Sequence, residues 1–398
     1  MNVDRSICTL LYLLIVPTIL TISGCATAPE SASATPAVRM ERVYVGTYTN
    51  TTSKGIYRFE LDPATGAFTA RGLAAEVEDP HFLAIHPNHR LLYAGASRTD
   101  ANDPPKTGAV DAFTIDATNG HLTLINQQWS GGKGATFVSV DPSGRDLLVA
   151  NYGSATIAAL PIAPDGQLAP PAVVIHHTGS SVNPERQSHA YPHSINPDPT
   201  GRFAFVPDLG LDKIFCYRVN PDTTVLMPND PPFVTVPPGS GPRHMAFSPD
   251  GRFAYVVQEM GGAVIAFAYN AEQGSLSQVQ IVSTLPSDFT AANTAADVHV
   301  HPSGKFLYAS NRGHDSIAIF AIDPATGRLT SRGWQSTQGK TPRNFAIDET
   351  GRWLIVANQG SDSIVLFRID EASGALTPTG TVESVPAPVC VKCLVIAP

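Results

Sequence analysis

Charge is scarce in this chain: Asp, Glu, Lys and Arg make up 15% of 398 residues, and the balance is acidic, with a formal net charge of −8. No basic stripe is present, so nucleic acid is not an expected partner. Cysteine is scarce as well, with five residues. Cys390 and Cys393 are spaced like a CxxC pair, but Pro388 to Ile396 reads as a strand, where residues three apart face opposite sides. The two are therefore expected to be small buried thiols, neither bridged nor chelating. The 32 Gly and 34 Pro suit many tight turns and fall short of a disordered composition.

The first 24 residues carry Arg5, an apolar run from Ile7 to Ile22 broken mainly by Pro17 and threonines, then Ser23 and Gly24. This reads as a signal peptide, too short and too weakly flanked to span a membrane stably. Its end, Ile22-Ser23-Gly24-Cys25, resembles the lipobox of bacterial lipoproteins, which makes Cys25 the expected lipidation site. From Ala26 to about Val38 the chain is rich in Ala, Ser, Thr and Pro without periodicity and reads as a tether. The expected organisation is a leader over 1–24, a tether over 25–40 and one folded domain over 41–398, exported and lipid-anchored in a bacterial envelope, facing the periplasm.

Two phrases alternate through the rest. One is an acidic or Gly-containing turn: LDPATGAF from Leu61, IDATNGHL from Ile115, PDGQL from Pro164, NPDTTVL from Asn220, NAEQGSL from Asn270, IDPATGRL from Ile322 and IDEASGAL from Ile369. The other is an apolar strand, a turn and a second apolar strand, as in FVSVDPSGRDLLVAN from Phe137 and MAFSPDGRFAYVVQE from Met245, with six copies. Period-two alternation around Pro-x-Gly chemistry makes each copy a hairpin. Copies about 50 residues apart indicate a radial repeat. Seven turns against six hairpins means that the chain starts inside one repeat and ends on an unpartnered strand. The strand at Pro388 to Ile396 should pair with the N-terminal strands at Val43 and Gly55, closing a seven-bladed, all-β propeller. A two-sheet sandwich array gives no reason for the offset.

In an up-and-down blade the start of the innermost strand and the end of the second lie at the same end of the ring, so residues there converge on one mouth. Those positions hold His81, Thr136, His193, Arg243 with His244, Asp297 with His299 and Arg343 with Asn344, and, at second-strand ends, Arg98, Asn151 with Tyr152, Asp208, Glu259, Asn311 with Arg312 and Asn358 with Gln359. Nearly all are polar or ionisable. The long connection from Thr178 to Tyr191 adds Arg186, Gln187 and His189. His189 and His193 are four apart, but in a loop that spacing has no helical meaning, and no metal site is expected.

From Val43 to Cys390 the sequence resembles the lactonase family of seven-bladed propellers, which includes bacterial 6-phosphogluconolactonase and is similar to fungal carboxymuconate cyclase. VYVGTYTN, LLVANYGSATIAALPI, VNPERQ, FVPDLGLDKI, PGSGPRHMAF, LYASNRGHDSIAIF and VPAPVC carry the likeness. The resemblance implies cofactor-free, metal-free hydrolysis or formation of a lactone ring. It places the cyclase's His, Glu and two Arg on His193, Glu259, Arg243 and Arg312. Tyr191 stands where the family commonly has a first His, Gln258 where it has Asn, and no His lies near Thr136.

Lactone hydrolysis needs a base, a cation at the forming oxyanion and an acid. The expected catalytic groups are His193 and Glu259, one as base and the other as proton donor, with Arg243 at the oxyanion and aid from His244. Arg186, Arg312 and Arg343 are expected to hold a carboxylate or phosphate of a small acidic lactone. Asp208 and Asn151 complete the expected substrate contacts. Glu259→Gln and His193→Ala are expected to cost turnover without lowering the melting temperature. A lactonising cycloisomerase would use the same groups, and a non-catalytic binding propeller would tolerate their separation and show exposed aromatic patches instead.

Overall fold

The computed structural model describes residues 39–98, 107–220 and 223–396; the leader, most of the tether and Cys25 lie outside the described residues. Seven four-stranded antiparallel sheets are arranged as the blades of a propeller, and the inner strands of successive blades touch around the axis. Blade 1 is closed by both ends of the chain. Pro388–Val395 is its innermost strand, paired antiparallel with Glu41–Thr47. The C-terminal strand does not pair with Gly55–Leu61, which lies on the far side of Glu41–Thr47. Blades 2 to 7 cover residues 82–129, 135–176, 196–235, 242–283, 294–336 and 342–384.

The two repeated phrases bolt neighbouring blades together. Within the turn phrase the leading Asp caps its own loop: Asp62 Oδ1 accepts Ala64 N–H at 2.9 Å and Oδ2 accepts the Thr65 hydroxyl at 2.7 Å. A carbonyl of that turn then points into the preceding blade. Tyr44, Tyr93, Tyr255 and Tyr308, all buried on second strands, donate to Gly120, Gly166, Gly327 and Gly374 carbonyls at 2.9–3.1 Å. Trp353 of blade 7 donates to Pro63 of blade 1 at 3.0 Å and completes the circle. The glycine of the hairpin turn works at close quarters: Gly351 has φ +72°, and a Cβ there would stand 2.6 Å from the ring of His301, which bonds the Gly351 carbonyl.

Blade 4 departs from the pattern. Its innermost strand is only Asn196–Pro197, because prolines at 197 and 199 remove N–H donors that a ladder needs. The thiols behave as expected in part: Cys216 and Cys390 are buried, whereas Cys393 is half-buried, and all three are free.

At the closure, Glu41 is fully buried, and one carboxylate oxygen has no hydrogen-bond partner. Burial, with Asp348 alongside, pushes its pKa up to about 8. The folded state therefore holds this proton longer than the unfolded chain, so the stability linked to it is complete below about pH 4.5 and is lost as pH rises through about 8. Glu41→Gln should flatten that slope and, at pH 8, raise stability by roughly 2–4 kcal/mol. Thermal melts of the two proteins between pH 5 and 9 check this; parallel curves would contradict it.

Candidate active site

Loop anchors come first, because they decide where the site residues point. Asp208, at the end of a second strand, is fully buried; it accepts His177 Nδ1 at 2.7 Å, Tyr191 N–H at 2.7 Å and Gly210 N–H at 3.1 Å. His177 in turn meets Tyr217 Oη at 2.8 Å. Buried Gln187 ties the loop's tip down by donating to the Leu209 carbonyl at 2.9 Å. The 178–191 connection is thus fastened at both ends, and His193 N–H donates to Pro207 O at 3.0 Å. The Asp208 carboxylate is thus engaged by His177 and two backbone N–H groups, and Asp208 is not among the residues lining the cavity at His193. Asn151 is likewise engaged elsewhere: its fully buried amide bonds the carbonyl and hydroxyl of Ser130 at 2.8 and 2.6 Å.

The other expected residues do converge. Glu259 follows directly on a second strand and is 5% exposed. Its Oε2 accepts Arg243 Nε at 2.9 Å and Arg312 at 3.0 Å, and its Oε1 accepts Arg186 at 2.6 Å. Three guanidiniums, one from the 178–191 loop, one from the innermost strand of blade 5 and one from the end of a second strand of blade 6, thus share one carboxylate. Burial alone would raise the Glu259 pKa, but the charges of Arg312 and Arg243 and the Arg186 hydrogen bond outweigh it and hold the pKa at about 2. Glu259 is therefore ionised at neutral pH, which removes it as a proton donor. It is also a charge hub, and because buried guanidiniums left without their anion are costly, Glu259→Gln is now expected to lower stability.

A small cavity of about 10 Å³ lies beside this hub, lined by His193, Arg243, His244 and Arg343 together with Tyr48, His81 and Thr136. His193 is buried, and its Nδ1 has no partner. Its ring stands edge-on to Tyr152 at 5.4 Å and to His244 at 5.2 Å. Burial, followed by the charge of Arg243, then by His244, Arg343 and Arg312, drives its pKa well below 6.5, so the imidazole is neutral. Arg343 has no carboxylate partner among the described residues and lies over the Tyr48 ring at 5.6 Å. His189 packs on Tyr191 at 4.0 Å and lies exposed, away from the cavity lining. Among the described residues no group of three or more His, Cys, Asp or Glu is placed to hold a metal.

Asp297 was visible in the sequence only as one mouth residue among many, yet it gathers more partners than any expected site residue. It receives His244 Nδ1 at 2.7 Å, His299 Nε2 at 3.0 Å and the Asn344 amide. The available signal was an acidic residue in the apolar strand Ala295-Ala296-Asp297-Val298. A larger hollow between the outer turns of blades 7 and 1, lined by Pro63, Trp353 and Arg368, has no comparable cluster; its Arg352 and Glu371 form a surface pair at 3.6 Å.

Comparison with known proteins agrees with this architecture. The family model described as lactonase, 7-bladed beta-propeller, matches residues 42–393. The chain is 38% identical over 351 residues to the 6-phosphogluconolactonase of Bacillus subtilis, covering 88% of this chain and 97% of that one. It is 34% identical over 311 residues to the 6-phosphogluconolactonase of Formosa agariphila, covering 77% and 86%. Among solved structures, the periplasmic gluconolactonase of Pseudomonas aeruginosa superposes with a TM-score of 0.84 at 36% identity, over 90% of this chain and all of that one. The chain belongs to the lactonase family of seven-bladed β-propellers.

Proposed function

We propose that the protein hydrolyses a small acidic lactone, a sugar-derived one in the first place, at the mouth bounded by His193, Arg243 and Arg343. The observation that carries this reading is a buried imidazole whose Nδ1 has no hydrogen-bond partner, beside a cluster in which three guanidiniums share the Glu259 carboxylate and a fourth, Arg343, has no carboxylate partner among the described residues. Such a cluster attracts an anion and leaves a base free. His193 takes a proton from water as the oxygen attacks the lactone carbonyl. Arg243 faces the oxyanion that forms. When the ring C–O bond breaks, the imidazolium returns its proton to the leaving oxygen, giving a hydroxy acid that ionises in water. One histidine thus serves as base and then acid, the role in which Glu259 was expected to share. Arg343 and Arg312 hold the carboxylate or phosphate.

The relatives named 6-phosphogluconolactonase and the neighbour named periplasmic gluconolactonase support a lactone as substrate. The test is acid release followed by pH-stat from phosphorylated, carboxylated and neutral lactones. Faster turnover of the anionic substrates, falling as salt is added, is expected; no turnover of any lactone would reject the proposal.

The reading extends to location. The leader, the lipobox-like Ile22-Ser23-Gly24-Cys25 and the periplasmic neighbour support export with a lipid anchor on Cys25. No helix among the described residues is long and apolar enough to cross a membrane. Cys25→Ser should shift the protein from the membrane fraction to the soluble one, and an unchanged membrane fraction would contradict the anchor.

A further inference from the structure

We propose that Asp297 is a positioning residue that fixes the tautomer of His244 and, through it, the aim of Arg243; this deepens, and rests on, the lactonase reading of the mouth. Asp297 Oδ1 lies 2.7 Å from His244 Nδ1, and a carboxylate at that distance makes Nδ1 the protonated nitrogen. The other nitrogen, Nε2, is then a lone pair, and it lies 3.2 Å from an Arg243 terminal nitrogen. A donor thus meets an acceptor. With the opposite tautomer an N–H would face a guanidinium N–H, and Arg243 would turn away.

The geometry leaves little freedom elsewhere. Arg243 Nε is committed to Glu259 at 2.9 Å, and one terminal nitrogen also bonds the Ala296 carbonyl. The His244 ring is wedged edge-on against Phe137 at 5.2 Å and Phe82 at 5.6 Å, so its plane is set by packing while its tautomer is set by Asp297. A protonated His244 is opposed by burial and by the Arg243 charge, which bring its pKa down to about 3. Asp297 is itself fixed from three blades. Its second oxygen accepts His299 Nε2 at 3.0 Å, the Asn344 amide, and Phe345 N–H at 3.3 Å. Asn344 Oδ1 accepts Val391 N–H of the C-terminal strand at 2.6 Å. The closing strand is therefore tied by hydrogen bonds to the orientation of the oxyanion partner.

The test uses the full chain with ¹⁵N-labelled histidine. Long-range ¹H–¹⁵N spectra should show His244 protonated at Nδ1 in the wild type and a substantial population protonated at Nε2 in Asp297→Asn. On the same proteins Asp297→Asn should lower kcat for the best anionic lactone by about 10- to 1,000-fold, less than the roughly 10⁴-fold seen when the base itself takes the wrong tautomer, because His244 acts through Arg243, with KM moved much less. His244→Gln can turn its amide oxygen toward Arg243 without help from Asp297. In that background, therefore, adding Asp297→Asn should change kcat by no more than about 2-fold. An unchanged tautomer in Asp297→Asn, or equal losses in both backgrounds, would overturn the proposal. If Asp297→Asn does not fold, His244→Gln against His244→Ala decides: a smaller loss of kcat in the former supports the tautomer account, and equal loss contradicts it. If the wild type hydrolyses no lactone, the function fails, while the tautomer measurement still judges this inference.

Discussion

His193→Ala should reduce lactone turnover by about 100- to 10,000-fold, the usual contribution of a positioned acid–base group, while leaving the melting temperature within a few degrees. The imidazole contributes little to folding because its Nδ1 has no hydrogen bond to lose. The pH dependence is the sharper part of this prediction. In the free protein, burial and then Arg243, His244, Arg343 and Arg312 hold the His193 pKa well below 6.5. Protonation, and with it the acid limb of kcat/KM, should therefore fall below pH 6.5. An anionic substrate on Arg343 and Arg312 cancels part of that positive field, so the acid limb of kcat, which reports the complex, should lie at higher pH than that of kcat/KM. Arg343→Met should also move the kcat/KM limb upward, because one of the charges opposing protonation is gone. A full-rate His193→Ala enzyme, or limbs that coincide at the ordinary histidine value, would remove His193 from the chemistry.

Glu259→Gln should damage both folding and activity. Removing one partner of a buried ion pair typically costs about 3–5 kcal/mol, and here one carboxylate serves Arg186, Arg243 and Arg312 together. Arg186 is partly exposed and its share is screened, so the cost rests mainly on the two buried partners. The sign with pH follows from a folded pKa of about 2 against an ordinary 4.5. The contribution is complete above about pH 4.5 and is lost as pH falls through about 2. Melts of wild type and Glu259→Gln should therefore differ by several degrees at pH 7 and converge in acid. Activity should drop with stability, because Arg243 and Arg312 lose the anchor that aims them. Melts that coincide at pH 7 would show that the carboxylate is not the hub.

Most of the fold was legible because each repeated phrase has a physical task in the next blade: the Tyr of LLYAG, FAYVV and FLYAS donates to the turn glycine of its neighbour. Ring closure was legible from the unpaired strand, although pairing with a single N-terminal strand was not. The site was legible in part, and the repeat itself separates right from wrong. Asn151, Asn311 and Asn358 occupy the same second-strand end and do the same work, bonding the carbonyls of Ser130, Thr284 and Thr337 in the preceding loop at 2.8–3.1 Å. A residue type that recurs at the same place in several blades does a structural job that those blades share. The residue that follows does not repeat: Tyr152, Leu209, Glu259, Arg312 and Gln359. Glu259 and Arg312 come from that variable position, and both reach the hub. Arg186 meets Glu259 from 73 residues away, through a loop whose path depends on Asp208 and Gln187. Pattern reading places such a loop near the mouth but cannot aim its side chains.

The most direct test of the mouth as the reaction site is a crystal structure with the hydroxy-acid product of the best anionic lactone. The product carboxylate should lie between His193 and Arg243, with the anionic substituent against Arg343 and Arg312. Product bound at the hollow near Trp353 and Arg368, or between blades with the mouth unaltered, would contradict the account.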